Sequence, residues 1–177
     1  MSDSRVAWAD GLATFSSDGI ALDAWFPSPR LGIRPEDHAS TPELARESGR
    51  DERRNVETRA FTIEINLDAP PSSTEDAYLR LHLLSHCLVR PNSMNLVGIF
   101  AALPNVAWTT AGPMLPSEYS RLLPGLKRHG ITAVGVDKFP RMTDYVLPPG
   151  VRIADASRVR LGAHLAPGTT VMHEGFV

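Results

Sequence analysis

The most regular feature of the chain is a row of aliphatic residues six apart near its end: Ile153, Val159, Leu165, Val171 and Val177. A second row of small residues, Ser157, Ala163, Thr169 and Gly175, follows four places after each of the first four. An amphipathic helix repeats at 3.6 residues and a half-buried strand at two, so neither produces this period. Hexapeptide repeats mark parallel β-helices, in which each short strand sends one aliphatic inward and a small residue fits the corner. The stretch from Ile153 to Phe176 holds four such hexads, a little more than the three of one triangular coil. A lone coil cannot bury its own apolar face, and this row ends on an interior-type position, Val177; further coils are therefore expected beyond it.

Upstream the pattern changes. Gly11 to Phe26 predicts two strands around a Ser-Asp-Gly turn, where Asp-Gly supplies the positive φ of a tight hairpin. Residues 27–55 are rich in proline and charge and predict a long, partly disordered loop, with one helical turn near Pro42–Arg46. Phe61, Ile63, Ile65 and Leu67 alternate with polar residues, as in a strand. Ser73 and Asp76 form a capping-box pattern ahead of a helix whose face is Ala77, Leu81, Leu84 and Leu88, stopped at Pro91. A short helix in Met94–Leu103 and a strand at Asn105–Thr110 follow. Ser117–Gly130 predicts a helix interrupted at Pro124, and Ile131–Asp137 a buried strand. Alternating helices and strands predict an α/β (α+β) domain over 1–147, with the hexapeptide coil occupying 148–177.

Composition narrows the function classes. A charge of −2 and a single cysteine, Cys87, argue against nucleic acid as a bulk partner and against disulfides or a cysteine metal site. The first residues lack the apolar core of a signal peptide, and no apolar run has the length of a membrane span, so a cytoplasmic protein is expected. No G-x-G-x-x-G, Walker-type or G-x-S-x-G motif is present. His82 and His86 have zinc-compatible spacing but no intervening glutamate, and the expectation is packed histidines beside a buried structural Cys87. Asp137, Lys138, Arg141 and Asp144 are expected to tie the domain junction. His173 and Glu174 lie in the last hexad, where spacing alone suggests a solvated corner.

Three stretches carry a family resemblance: Ala77–His86 (AYLRLHLLSH), Val106–Thr110 (VAWTT) and the whole of Val136–Val177. They resemble the actinobacterial type of tetrahydrodipicolinate N-succinyltransferase. The resemblance implies a homotrimer in which an N-terminal α/β domain precedes a left-handed parallel β-helix. It also implies succinyl transfer from succinyl-CoA to an amine in the diaminopimelate route to lysine, with active sites between neighbouring β-helices. The family's catalytic glutamate and CoA contacts lie in later coils, so no catalytic or cofactor-binding residue is expected within this chain, and the chain alone is expected to be inactive. One metal-associated position on the threefold axis matches Glu174, implying Mg²⁺ there. At the other, Ser157 stands where the family has aspartate, and a hydroxyl binds Mg²⁺ more weakly than a carboxylate. Two alternatives stand beside this reading: a hexapeptide acyltransferase with another acceptor, and a non-catalytic module that pairs its coil edge with a partner chain.

Overall fold

The computed structural model describes residues 5–177. The head of the stretch read for a signal peptide, residues 1–4, lies outside the described residues. The predicted hairpin is β1 (Val6–Ser16) and β2 (Ala21–Trp25), paired antiparallel around Gly19 at φ 79°. The alternating segment is β5 (Val56–Asn66), which pairs with β1 along its full length, from Val6 opposite Asn66 to Ser16 opposite Val56. Two short strands, β3 (Arg30–Leu31) and β4 (Gly49–Asp51), complete a five-stranded sheet.

Those two strands correct the expectation for 27–55. Its helical turn is present as α1 (Pro42–Arg46), but the excursion is anchored on the sheet at both ends. Asp10 on β1 fastens its middle, accepting hydrogen bonds from Thr41 N (3.0 Å), Thr41 Oγ1 (2.7 Å) and Thr62 Oγ1 (2.6 Å) and contacting His38 Nε2 (2.9 Å). A proline- and charge-rich composition signals disorder only when no buried acceptor gathers the chain's donors.

The next helix is α2 (Thr74–Ser85), which packs on β1, β2 and β5. Ser73 Oγ accepts from Asp76 N at 3.2 Å, as the capping pattern predicts, while the Asp76 carboxylate returns to Ser72 instead of Ser73. Every residue from Asp76 to Ser85 is buried, so the helix has no single apolar face. Its end is not set by Pro91. Cys87, at φ 56°, donates to Leu84 O while Leu88 donates to Leu83 O, the pair of bonds of a Schellman cap.

After the short α3 (Ile99–Ala102), β6 (Val106–Thr109), β7 (Gly112–Met114) and β8 (Ala133–Asp137) form a second sheet in the order β7-β6-β8. Helix α4 (Pro116–Arg128) links β7 to β8. It runs through Pro124 without interruption; the carbonyl that Pro124 cannot satisfy belongs to exposed Ser120, where water can serve it. β8 is an edge strand and is exposed, with Val134 and Val136 at 48% and 58%, contrary to the buried strand expected. An apolar run tells what a strand could bury, not whether anything lies over it.

In the final segment β9 (Arg152–Ile153) pairs parallel with β10 (Thr170–Val171), matching Ile153 with Val171, 18 residues later. Val177 N donates to Arg158 O (2.9 Å) and Arg160 N to Val177 O (3.0 Å), which brings Val177 beside Val159 at the same offset. Val159, Leu165 and Val171 are buried, Ile153 is half-buried and Val177 is 53% exposed. The segment docks on α2: Gly162 N donates to Ser85 Oγ (2.8 Å), and Val159, Leu161 and Leu165 join the same core as Leu81 and Leu84.

Candidate functional site

Each chemistry-bearing residue singled out above has a definite place. Glu174 is exposed on a turn after β10 and, among the described residues, takes part in no side-chain hydrogen bond or ion pair. Ser157 is exposed too, but its hydroxyl already donates to Asp155 Oδ1 at 2.7 Å. That bond and Ser157 N hold the Asp155 carboxyl below the usual range. Within one chain no three possible ligands gather among the described residues.

His82 is fully buried and fixed as one neutral tautomer. Its Nδ1 donates to Tyr78 O (2.8 Å) and its Nε2 accepts from Phe26 N (3.3 Å), and burial lowers its pKa to about 3. A ring bonded at both nitrogens has no lone pair left for zinc. His86 stacks on it at 6.3 Å, and burial lowers its pKa as well. Cys87 is exposed, not buried as expected, because the helix cap turns it outward to donate to Leu165 O.

The charged cluster at 137–144 does tie elements together. Asp137 pairs with Arg160 of the final segment (2.7 Å), and Lys138 Nζ donates to the Phe100 (2.7 Å) and Leu103 (2.5 Å) carbonyls at α3. Arg141 pairs with Asp144, Nε to Oδ2 and Nη2 to Oδ1, each at 3.0 Å. Beside Asp137 and Arg160 an apolar cleft of about 650 Å³ opens between α2, α3 and the final segment, walled by Leu84, Phe100, Phe139 and Leu161 and reaching Val177.

Three buried polar centres carried no motif. Asp10 gathers the excursion, Arg80 ties α2 to β5, and Asp23 on β2 accepts from Tyr145 Oη at 2.5 Å. The only advance signal was the Asp76–Arg80 spacing of four on a helix, which permits an ion pair without announcing its burial.

The comparisons agree with this architecture. Residues 103–141, the second sheet with α4, match the model of the middle region of tetrahydrodipicolinate N-succinyltransferase. A 2,3,4,5-tetrahydropyridine-2,6-dicarboxylate N-succinyltransferase of Salinispora tropica is 50% identical over 189 positions, covering all of this chain and 59% of that protein. One from Pseudomonas aeruginosa is 60% identical over 112 positions, 62% of this chain and 33% of the relative. A solved Campylobacter jejuni structure, described as a 2,3,4,5-tetrahydropyridine-2-carboxylate N-succinyltransferase, shares the fold at a TM-score of 0.72 and 24% identity, over 94% of this chain and 56% of that one. The chain is thus similar over its whole length to a tetrahydropyridine dicarboxylate N-succinyltransferase and spans about three fifths of the length of that Salinispora relative.

Proposed function

We propose that this chain supplies the sheet domain and the opening coil of a succinyl-CoA-dependent tetrahydrodipicolinate N-succinyltransferase of the diaminopimelate route to lysine. The observation that carries the reading is the 50% identity to the Salinispora enzyme across the whole chain. In this reading residues 1–147 form the α/β domain and 148–177 begin a left-handed β-helix. The 18-residue offset of β9 from β10, equal to three hexads, supports a triangular coil. Three copies associate through their coils in the cytoplasm, and the Glu174 carboxylates meet near the threefold axis, where Mg²⁺ offsets their repulsion. With one acidic position per chain and Ser157 engaged by Asp155, that metal is held by Glu174 and water alone.

What this chain contributes to transfer is placement. Acyl donor and acceptor amine react when held in line between fixed surfaces, and the coil is fastened to α2 and its cap by the Ser85 and Cys87 contacts and to β8 by the Arg160–Asp137 pair. The carboxylate that assists the amine and the CoA contacts reside in later coils. The test is release of CoA thiol from succinyl-CoA with tetrahydrodipicolinate as acceptor. It is run on the chain alone and on the chain joined to the remaining coils of the Salinispora relative. The chain alone should be inert and the joined form active. Turnover by the chain alone, or a folded trimeric fusion that is inert, would sink the proposal. A second arm offering other amines and amino sugars separates this acceptor from those of related acyltransferases.

A further inference from the structure

The strip from Pro140 to Tyr145 joins the first sheet to the final segment. Towards that segment, Met142 N donates to Val159 O and Leu161 N to Pro140 O, each at 2.9 Å. Towards β2, Trp25 Nε1 donates to Tyr145 O (3.1 Å) and Tyr145 Oη to Asp23 Oδ2 (2.5 Å). Two residues of β2, Asp23 and Trp25, thus clasp the tyrosine on which the strip is seated.

Asp23 is 7% exposed, and its other oxygen, Oδ1, is sealed from solvent with no hydrogen-bond partner. Among the described residues, the groups that face it are uncharged or committed elsewhere. From α2 comes Tyr78, fully buried, whose hydroxyl also lacks a partner. Thr14 comes from β1, and Tyr145 supplies a single phenol bond. The cation that acts on Asp23 is Arg54, which is engaged by Asp51 (2.7 Å). Arg141, in the cleft between β2 and the β6–β7 hairpin, is paired with Asp144. His82, edge-on to Tyr145 at 5.8 Å, is neutral. A carboxylate so placed would carry a buried charge with no cation bonded to it and one oxygen unserved, and such a group takes up a proton instead. Burial pushes the Asp23 carboxyl up, against the opposing pull of Tyr145, Thr14 and Arg54, which agrees with that geometry.

We propose that folded Asp23 is a neutral carboxylic acid, and that its ionisation is a switch that lifts the Pro140–Tyr145 strip from β2. A proton on Oδ1 removes the charge, leaves Oδ2 to accept from Tyr145, and makes Oδ1 a donor in the neighbourhood of the unpartnered Tyr78 hydroxyl. Loss of the proton keeps the Tyr145 bond but leaves a charged oxygen that only water can serve. Solvent stands close by, in a cleft of about 380 Å³ lined by Asp23, Trp25, Trp108 and Tyr145, and reaches Oδ1 when the strip moves aside. The final segment is bonded to the strip and loosens with it. The switch stands whether or not the transferase reading does.

The carboxyl of the unfolded chain ionises near its ordinary value of 3.8, and folded Asp23 keeps its proton above that. Rising pH then favours the unfolded chain, so the contribution of Asp23 is complete below 3.8 and is lost as pH rises through the folded value. Asp23→Asn mimics the neutral acid at nearly constant shape, and comparison with it cancels the opposite effect of His82. Urea titrations of both proteins from mildly acid to mildly alkaline pH give the folding constants. Relative to the variant, the unaltered chain should lose about tenfold per pH unit while only the unfolded carboxyl ionises. Carboxyl-carbon NMR should find Asp23 protonated at neutral pH. Acrylamide quenching of Trp25 and Trp108 should rise with pH in the unaltered chain and stay flat in Asp23→Asn. If Asp23→Asn does not fold, the NMR titration and the quenching of the unaltered chain decide. An ionised Asp23 at neutral pH, or parallel pH profiles for the chain and its folded variant, would overturn the neutral acid. Quenching that stays flat up to the pH of unfolding would overturn the switch.

Discussion

Replacing Arg80 by Met tests whether α2 is held to the sheet by a buried cation. The Arg80 side chain is fully buried, and its donors are almost used up. Nε donates to Asp76 Oδ1 (2.7 Å), Nη1 to Asn95 O (2.8 Å) and Leu67 O (3.3 Å), and Nη2 to Asn66 O (2.8 Å). Methionine fills most of the volume but takes the Arg80 donor from Asp76 Oδ1 and from the Asn66 and Asn95 carbonyls, while Leu67 O keeps its bond from Asn95 N (2.9 Å) and Asp76 Oδ2 its bonds from Ser72. Breaking a buried pair from one side costs about 3–5 kcal/mol, and orphaned carbonyls keep the loss at the upper end of that range. At about 2–4 °C per kcal/mol for a chain of this size, the melting point should fall by roughly 6–20 °C. Urea unfolding followed by circular dichroism gives the difference directly, provided the slope m is unchanged. The double variant Asp76→Asn/Arg80→Met separates the two contributions. It relieves the stranded carboxylate but not the carbonyls, so it should fall short of the sum of the single losses by about 1–3 kcal/mol. A loss below about 1 kcal/mol for Arg80→Met, or strict additivity, would show that the fork of bonds contributes little.

Two further outcomes follow from the same core. His82 has a folded pKa of about 3, so as pH falls below its ordinary value of 6.5 the unfolded chain takes up a proton that the folded chain refuses. Its contribution to stability is therefore complete above pH 6.5 and declines between there and about 3; nitrogen-15 NMR should find the ring neutral, with the proton on Nδ1, at pH 5. Gly162 sits at φ 103°, and a β-carbon there would lie 2.6 Å from Leu81 Cδ2, so Gly162→Ala should cost about 1–3 kcal/mol in urea titration and loosen the coil from α2; an unchanged midpoint would mean that this docking is soft.

Local signals were legible wherever the physics is local. The Asp-Gly turn, the Ser73 cap and the alternation of Phe61 to Leu67 depend on residues within a few positions of each other, and each formed its expected element. The six-residue period belongs with them, since a fixed interval between aliphatics constrains the path of the chain before any partner is known. It was followed by parallel pairing at an offset of 18.

Other features were decided only when distant segments met. Pro124 was tolerated because the residue whose carbonyl it orphans is exposed, and β8 was left exposed because, among the described residues, no strand pairs with its outer edge. Cys87 was turned outward by a helix cap that composition does not announce. Asp10, Asp23 and Arg80 look in sequence like ordinary surface charges. Only the packed molecule makes them buried centres, gathering donors or acceptors from as far as Thr62, Tyr145 and Asn95. Hydrophobic period and turn chemistry act over a few residues and are written in the chain. Burial depends on what arrives from elsewhere, so the charges that organise this fold, and the unmatched oxygen of Asp23, could be found only in three dimensions.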